Sequence, residues 1–523
     1  MSTTRPSRLR RHLAFVLISS LFGFPLVAQE PSYVQLDTAH GTLEGVVSGD
    51  GKVRTFKGIP YAAPPVGDLR WKPPHPVTPW EGVRLAHDYP PRAMQVHVWD
   101  DMFFYDDGPS EDCLYLNLWM PAKPETDKLP VMFWIHGGGF IAGSTSEPRQ
   151  DGGNLSKKGV LVVSLTYRMG IFGFFAHPKL SAESARNASG NYGMLDMVAA
   201  LEWVRDNIAT FGGDPNNVTI FGESAGSMAV SALMASPQAR GLFHKAIGES
   251  GGALNRSMQT RKEAEKQGLE FVEAEIGDTS LAALRAMPAQ ELLEISQRGP
   301  RFRPNIDGLF LIENPVDTYA TGRQSHVPLL AGWNLDEGGA GALFGDKVPT
   351  LANFQAAAKE RFGDDADAFL AAYAASTDRE AKRAAQDYGG DRFIGYGTWK
   401  WLEEHERTGT SPVYRYMFDH PLPLPADAPA DAEPRAAHSW EIEYVFRVIS
   451  SKDLPWRDED WKVSELISTY WTNFAKHGDP NSSGLLAWPQ YNTDNGRPVM
   501  HLNPTPSVTS DDHRARYEFL EAR

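Results

Sequence analysis

The chain has 523 residues, of which 41% are hydrophobic and 22% are charged, and its formal net charge is −15. This composition is typical of a globular fold with a large core. The acidic balance, with no basic run after the N-terminus, excludes nucleic acid as an expected partner. The single cysteine, Cys113, excludes an intrachain disulfide and is predicted to be a small buried side chain.

The first 28 residues are predicted to be an export signal. Four arginines between residues 5 and 11 precede an apolar run over residues 13–28. This run of about 16 residues is shorter than the roughly 20 that a membrane-spanning helix needs. We therefore predict a signal peptide over 1–28, an exported protein that is periplasmic or secreted, and no stable membrane span.

The next part of the chain alternates between predicted strands and helices. Residues 33–36 and 41–47 are predicted to pair as a hairpin. Four further strands are predicted at 114–120, 131–135, 160–165 and 218–221. Apolar residues at helical spacing over 195–208 predict a helix that ends at Gly212. This alternation predicts an α/β fold, in which helices flank a central, mostly parallel sheet.

Three consecutive glycines follow the strand predicted at 131–135, in the sequence His136-Gly-Gly-Gly-Phe140. Glycines allow a backbone to turn its N–H groups inward and to approach a substrate closely. An acyl-transfer site needs such donors where negative charge develops. A phosphate-binding loop would continue with Lys-Ser or Lys-Thr, whereas Phe140 and Ile141 follow here. We interpret the loop as an oxyanion hole.

The pattern Gly-x-Ser-x-Gly occurs twice, at 222–226 and at 248–252. In a serine hydrolase this pattern places the nucleophile on a tight turn between a strand and a helix. Larger side chains would clash in that turn, so it needs the two glycines. The pattern alone is short enough to occur by chance, and its context must decide between the two copies.

The context favours Ser224. It follows the strand predicted at 218–221 and precedes residues 227–234, which form helices readily. The N-terminus of that helix would direct free N–H groups, including that of Ala225, at the site. Ser250 is followed by two glycines, a poor start for a helix, and is predicted to be a supporting hydroxyl.

Residues 255–410 are richer in helix-forming residues and are interpreted as insertions over the core. Within this range, Asp336 and Glu337 follow the apolar stretch 327–333 and precede two glycines. The acid of a catalytic triad is expected at such a strand end. Composition does not choose between the two carboxylates.

The histidine of the triad is expected after the acid, which leaves six residues: His405, His420, His438, His477, His501 and His513. His438 lies where a proline-rich loop over 421–434 ends, before a stretch at 441–446 that is predicted to be a strand. A loop held between rigid elements suits a general base.

Five segments together resemble the type-B carboxylesterases, which are α/β-hydrolases similar to cholinesterases and para-nitrobenzyl esterases. They are 56–65 (FKGIPYAAPP), 110–117 (SEDCLYLN), 136–140, 211–226 and 438–446. The resemblance extends over about 33 to 505. It implies an α/β-hydrolase fold and a single carboxylesterase domain over 29–523, with helical insertions at about 255–410 over the active site.

The resemblance also implies a role for individual residues. The catalytic residues become Ser224, Glu337 and His438; the oxyanion donors become Gly138, Gly139 and Ala225; Glu223 and Ser250 support the triad from outside. Relatives often pair the cysteine at position 113 with one upstream, where this chain has Ala93-Met94-Gln95. The loop between about 94 and 112 is therefore expected to be less constrained, which argues against a choline-type substrate.

The sequence thus predicts a serine carboxylesterase that converts carboxylic esters to acid and alcohol through an acyl-enzyme. Its partner is a small-molecule ester. No metal or cofactor is expected, since the chain has no His-Glu-x-x-His, Cys-x-x-Cys or phosphate-loop motif. The alternatives are hydrolysis of amides, lactones or lipids by the same triad, and a non-catalytic binding protein of the same fold.

Overall fold

The structure is a computed structural model, and it describes residues 32–255 and 257–523. The predicted signal peptide, 1–28, lies outside the described residues. Within these ranges, no helix has both the length and the apolar character needed to cross a membrane.

The strands are β1 (Ser32–Thr38), β2 (Gly41–Val47), β3 (Val53–Pro60), β4 (Val83–Leu85), β5 (Arg92–Ala93), β6 (Pro109–Ser110), β7 (Tyr115–Pro121), β8 (Leu129–Ile135), β9 (Leu161–Leu165), β10 (Gly213–Glu223), β11 (Lys245–Glu249), β12 (Leu329–Asn334), β13 (Val413–Phe418), β14 (Val499–Leu502) and β15 (Ser507–Thr509). In the described part of the chain, one 13-stranded sheet has the order β1-β2-β3-β7-β9-β8-β10-β11-β12-β13-β14-β15, with β4 beside β2. The block from β9 to β14 is parallel. Antiparallel ladders flank this block, and one of them is the predicted hairpin of β1 and β2.

The helices are α1 (Gly153–Ser156), α2 (Gly170–Phe174), α3 (Pro178–Glu183), α4 (Tyr192–Asn207), α5 (Ala225–Ala235), α6 (Arg261–Glu275), α7 (Leu281–Ala286), α8 (Ala289–Ser296), α9 (Pro315–Ala320), α10 (Gly341–Phe344), α11 (Leu351–Phe362), α12 (Ala366–Ala372), α13 (Asp378–Gly390), α14 (Tyr396–Thr408), α15 (Ile442–Phe446), α16 (Asp458–His477) and α17 (Arg514–Glu521). A π-helical turn, Asp391–Gly395, joins α13 to α14. The range interpreted as insertions contains α6 to α14, and it also contributes β12 to the sheet.

Strand β8 shows why the centre of the sheet is apolar on both faces. Its residues alternate between two hydrophobic cores. Phe133 and Ile135 pack in the core that contains α4 and α5. Met132 and Trp134 pack in the core that contains α15 and α16. Because successive side chains of a strand point to opposite faces, a strand between two helical layers needs an unbroken apolar run.

The prediction of a strand at 441–446 is wrong, because residues 442–446 form helix α15. All five of its residues are buried, and Ser464 Oγ on α16 donates a hydrogen bond to the carbonyl of Tyr444 at 2.9 Å. A short apolar run that is buried on every side has the same pattern in a helix as in a central strand. Periodicity therefore could not distinguish the two.

Candidate active site

Ser224 lies on a sharp turn between β10 and α5, with φ 55° and ψ −119°. Its backbone N–H donates to the carbonyl of Glu249 at 2.9 Å. A Cβ atom on Gly222 or Gly226 would lie 2.6 or 1.9 Å from the carbonyl oxygen of Ile135 on β8. Both glycines of the motif are therefore needed for the turn to lie against the neighbouring strand.

His438 connects the serine to a carboxylate. The Oγ atom of Ser224 lies 2.9 Å from Nε2 of His438, and Nδ1 lies 2.6 Å from Oε2 of Glu337. A carboxylate only accepts, so Nδ1 carries the hydrogen in this pair. In the neutral imidazole, Nε2 is then left to accept the hydrogen of the serine hydroxyl. This is the geometry of an activated serine nucleophile.

Asp336 and Glu337 have different partners at the end of β12. Glu337 Oε1 accepts from the backbone N–H of Asn334 at 2.8 Å, while its Oε2 atom contacts His438. Asp336 instead exchanges hydrogen bonds with Ala436, through Oδ2 and through its backbone N–H, both at 2.9 Å. Asp336 thus fastens the loop that carries the histidine, and Glu337 is the carboxylate that touches the histidine.

Ser250 supports this arrangement from the neighbouring strand. In the parallel ladder of β10 and β11, Gly222 lies opposite Gly248, so the two Gly-x-Ser-x-Gly copies lie side by side. Ser250 also has a positive φ, 53°, and its hydroxyl donates to Oε1 of Glu337 at 2.6 Å. The serine of the second copy of the motif therefore helps to hold the carboxylate of Glu337 in place.

Glu441 is a buried carboxylate near Glu337 and Ser250. The sequence analysis did not identify it as a site residue. Its Oε1 atom lies 3.2 Å from Ser250 Oγ, and its Oε2 atom accepts a hydrogen bond from Asn334 Nδ2 at 2.5 Å. Burial raises the pKa of Glu441 to about 7, and the charge of Glu337 adds to the effect. The sequence signal was an acid three positions after His438, at the start of an apolar run.

Two carboxylates determine the electrostatics of His438. Oε1 of Glu223 lies 3.2 Å from Nε2 of His438, on the side opposite Glu337. Burial opposes protonation of His438, but Glu223 and Glu337 outweigh it and raise the pKa of the imidazole to about 10. Burial raises the pKa of Glu223 to about 8, with His438 opposing the rise. The site therefore strongly favours an imidazolium, the form that His438 takes when it accepts a proton.

The three-glycine loop lies beside the serine. Gly138 and Gly139 have φ values of 100° and 62°, and a Cβ on Gly138 would lie 1.9 Å from the carbonyl oxygen of Ala142. Among the described residues, no acceptor takes a hydrogen bond from the N–H groups of Gly138, Gly139 or Ala225. All three residues line the same cavity as Ser224, where free donors can bind an oxyanion.

The cavity over Ser224 has a volume of about 820 Å³. Apolar side chains line one part of it: Met194, Met228, Ala232 and Ala253. Phe393, on the π-helical turn, packs edge-on against the ring of His438 with 5.0 Å between the ring centroids. A cavity of this size that joins an apolar wall to a few polar groups is typical of a small-molecule site.

The loop over 94–112 is fastened more firmly than the missing disulfide led us to expect. The carboxylate of Asp106 accepts hydrogen bonds from Ser144 at 3.0 Å and from Ser146 at 2.5 Å, and it pairs with Arg92. Cys113 is buried and free, as predicted. Polar contacts thus replace the covalent bridge, and Trp99 and Met102 of the loop line the cavity.

Three of the other candidate histidines have partners elsewhere. His420 lies 2.6 Å from Asp460, His501 lies 2.8 Å from Asp419, and His405 lies 2.9 Å from the carbonyl of Val327. In the described ranges, no group of three or more His, Cys, Asp or Glu side chains has the arrangement of a metal site.

Sequence comparison identifies the family. The profile of the carboxylesterase family matches residues 32–520. The chain belongs to the carboxylesterase family. This carboxylesterase is 39% identical to fumonisin B1 esterase of Sphingopyxis macrogoltabida over 93% of its own length and 90% of the relative's. It is 34% identical to the liver carboxylesterase of Sus scrofa, with 92% of each chain covered.

Solved structures agree with this assignment. A PNB esterase has a TM-score of 0.76 and 33% identity, with 94% of this carboxylesterase and all of that chain covered. A thermophilic PNB esterase has a TM-score of 0.77 at the same identity and coverage. The predictions of an α/β-hydrolase fold and of a serine carboxylesterase that hydrolyses carboxylic esters are confirmed.

Proposed function

We propose that Ser224 is the nucleophile of this esterase, His438 its general base and Glu337 the acid that orients the base. The observation that carries the proposal is the continuous hydrogen-bonded series from Ser224 Oγ through His438 to Glu337, at 2.9 and 2.6 Å. The positive φ of Ser224 supports it, because a strained turn of this kind holds a nucleophile exposed above the sheet.

In this mechanism, Nε2 of His438 takes the proton of Ser224 as Oγ attacks the ester carbonyl. The N–H groups of Gly138, Gly139 and Ala225 bind the oxygen that becomes negative. His438 then protonates the departing alcohol. In the second half of the reaction, His438 takes a proton from water as the water attacks the acyl-enzyme, and then returns it to Ser224. Glu337 holds Nδ1 of the imidazole throughout and stabilises its charged form.

The test is hydrolysis of 4-nitrophenyl esters of increasing acyl length by the wild type and by Ser224→Ala. The substitution removes the attacking oxygen, so we expect kcat to fall by about 10⁴-fold or more while the fold is retained. Circular dichroism checks the fold. Wild-type hydrolysis by a folded Ser224→Ala variant would rule out the assignment.

Ser250→Ala is the matched control, since it changes the serine of the other Gly-x-Ser-x-Gly copy. It removes one hydrogen bond to Glu337 and leaves the nucleophile in place. Loss of a hydrogen bond to a charged group lowers activity by about 10- to 100-fold. If Ser250→Ala were the more damaging of the two, the assignment of the nucleophile would have to be reversed.

A further inference from the structure

One wall of the cavity is made by two chain segments that run side by side. Residues 257–260 lead into α6, and residues 301–306 follow α8. The N–H of Ile306 donates to the carbonyl of Gln259 at 2.9 Å, and Thr260 and Ile306 form a parallel bridge. Gln259 also donates through Nε2 to Oε1 of Gln267 on α6, at 2.7 Å. The backbone of this wall is thus held from both sides.

Arg301 and Arg303 project from this wall into the cavity, and we call the pair the arginine wall. Phe302 between them is only 5% exposed, and it packs edge-on against Phe175 and Phe271 with ring centroids 5.5 and 5.4 Å apart. The two arginines are exposed and line the same cavity as Ser224. The buried phenylalanine therefore fixes the direction in which its neighbours point.

The acids of the cavity lie next to other cations. Nε of Arg149 pairs with Glu147 at 2.6 Å, and Nη1 of the same residue lies 3.7 Å from Asp101. Glu223 faces His438. Arg149 and His438 therefore offset the negative charge of these acids.

Arg301 differs in its ion pairing from Arg298, which lies three residues before it in the chain. Arg298 pairs with Glu275 at 2.8 Å outside the cavity. In the part of the chain that the structure describes, Arg301 forms no such ion pair and opens onto the substrate cavity. A guanidinium presents a planar fork of N–H donors that matches a carboxylate.

We propose that the arginine wall binds a carboxylate that the substrate itself carries, a proposal that rests on the function proposed for Ser224. The substrates favoured by this site are carboxylic esters with a free carboxylate on the acyl or the alcohol part. They include monoesters of polycarboxylic acids and esters of hydroxy acids. The amide and hydroxyl groups of Ser257, Gln259 and Gln267 line the same wall and offer further polar contacts.

The test compares esters that match in length and differ in one charge. For the acyl side, the pair is monoethyl adipate and ethyl hexanoate; for the alcohol side, it is 4-(butanoyloxy)butanoate and butyl butanoate. Rates are measured by titration of the released acid. We expect kcat/KM of the wild type to be about tenfold higher for the charged member of one pair, as for a hydrogen bond between charged groups. High salt should reduce this preference, because salt screens the attraction.

The double variant Arg301→Gln/Arg303→Gln is expected to bring the ratio of charged to neutral kcat/KM close to one. Arg301→Lys/Arg303→Lys keeps the charge and should retain part of the preference. Arg298→Gln is the matched control outside the cavity, and its ratio should equal that of the wild type. A wild type with no preference in either pair, or a double Gln variant that retains it, would overturn the proposal.

These measurements also distinguish a failure of carboxylate binding by the arginine wall from a failure of the assignment of Ser224 as nucleophile. Hydrolysis of the neutral esters by the wild type, and its loss in Ser224→Ala, test the nucleophile alone. If charged and neutral esters react at equal rates and Ser224→Ala loses both reactions, the proposed role of the arginine wall is wrong and the proposed nucleophile stands. If Ser224→Ala hydrolyses both esters, the assignment of Ser224 as nucleophile is itself wrong.

Discussion

His438 lies between two carboxylates that act on different atoms of its ring. Glu337 contacts Nδ1 at 2.6 Å, and Glu223 lies 3.2 Å from Nε2, the atom that faces Ser224. A negative charge within this range favours the imidazolium and so raises the pKa of the histidine. Because His438, as the proposed base, must be neutral before it can take a proton from Ser224, activity should fall as pH drops through this pKa.

Glu223→Gln should move the acidic limb of the kcat/KM profile to lower pH. Removing one negative charge destabilises the imidazolium, which lowers the pKa of His438 by about one unit or more. Glu223 has a pKa of about 8 and is charged above that pH, so the shift should appear between about pH 8 and the pKa of about 10 that His438 has in the wild type. The measurement is kcat/KM against pH with a neutral ester.

Glu249→Gln is the control for this prediction, since Glu249 occupies the same position in the second motif. Burial raises the pKa of Glu249 well above its usual range, and its carboxylate accepts a hydrogen bond from Nε1 of Trp471 at 2.7 Å instead of facing His438. Its replacement should leave the acidic limb in place. An equal shift in both variants, or a shift of Glu223→Gln to higher pH, would contradict the prediction.

The turn between β10 and α5 depends on how closely the strands approach each other. The motif glycines face the carbonyl of Ile135 on β8, and β8 leads directly into the three-glycine loop. The proposed nucleophile and the proposed oxyanion donors are therefore held at the ends of two adjacent strands of one sheet. The ladder between those strands fixes their relative position.

Gly226→Ala should disturb this turn, because the new Cβ would lie 1.9 Å from the carbonyl oxygen of Ile135. The strands must separate to accommodate it, which we expect to cost about 1–3 kcal/mol of stability and to lower kcat. Thermal melting and ester hydrolysis measure the two effects. Gly341→Ala is the control, since a Cβ on this helical glycine would meet open space. Equal melting temperatures for the two variants would disprove the clash.

A buried ion pair between Arg168 and Asp196 joins distant parts of the molecule. The guanidinium of Arg168, which follows β9, donates to both carboxylate oxygens of Asp196 on α4, at 2.8 and 2.6 Å. Arg168 also donates to the carbonyls of Lys72 and Tyr192. The exposed fractions of the two paired side chains are 3% and 0%. The N-terminal part of the chain is thus linked to the helical layer.

Asp196→Asn should destabilise the whole fold, because it leaves the charge of Arg168 buried and uncompensated. We expect a loss of about 3 kcal/mol, measured by urea unfolding. Asp206→Asn is the matched control, since the pair of Arg205 and Asp206 is exposed by 50% and 58%. Its expected cost is below about 1 kcal/mol. A comparable loss of stability in both variants would contradict this account.

Local patterns were sufficient for the parts of the protein that depend on neighbouring residues. The strand, turn and helix around Ser224, the three glycines after β8 and the apolar run of β8 itself were all predicted at their positions. Each follows from backbone sterics and from the two-residue period of a strand, which act over a few positions. The resemblance to the family added the choice of Glu337 over Asp336.

Only the tertiary structure decided which distant side chains meet. Ser224 and His438 are 214 residues apart, and His438 and Glu337 are 101 apart, so no local pattern relates them. Helix α15, the contact of Glu441 with Ser250 and the arginine wall likewise depend on which segments pack against one another. Short-range sterics determine how a segment folds, whereas packing over the whole sheet determines what that segment faces.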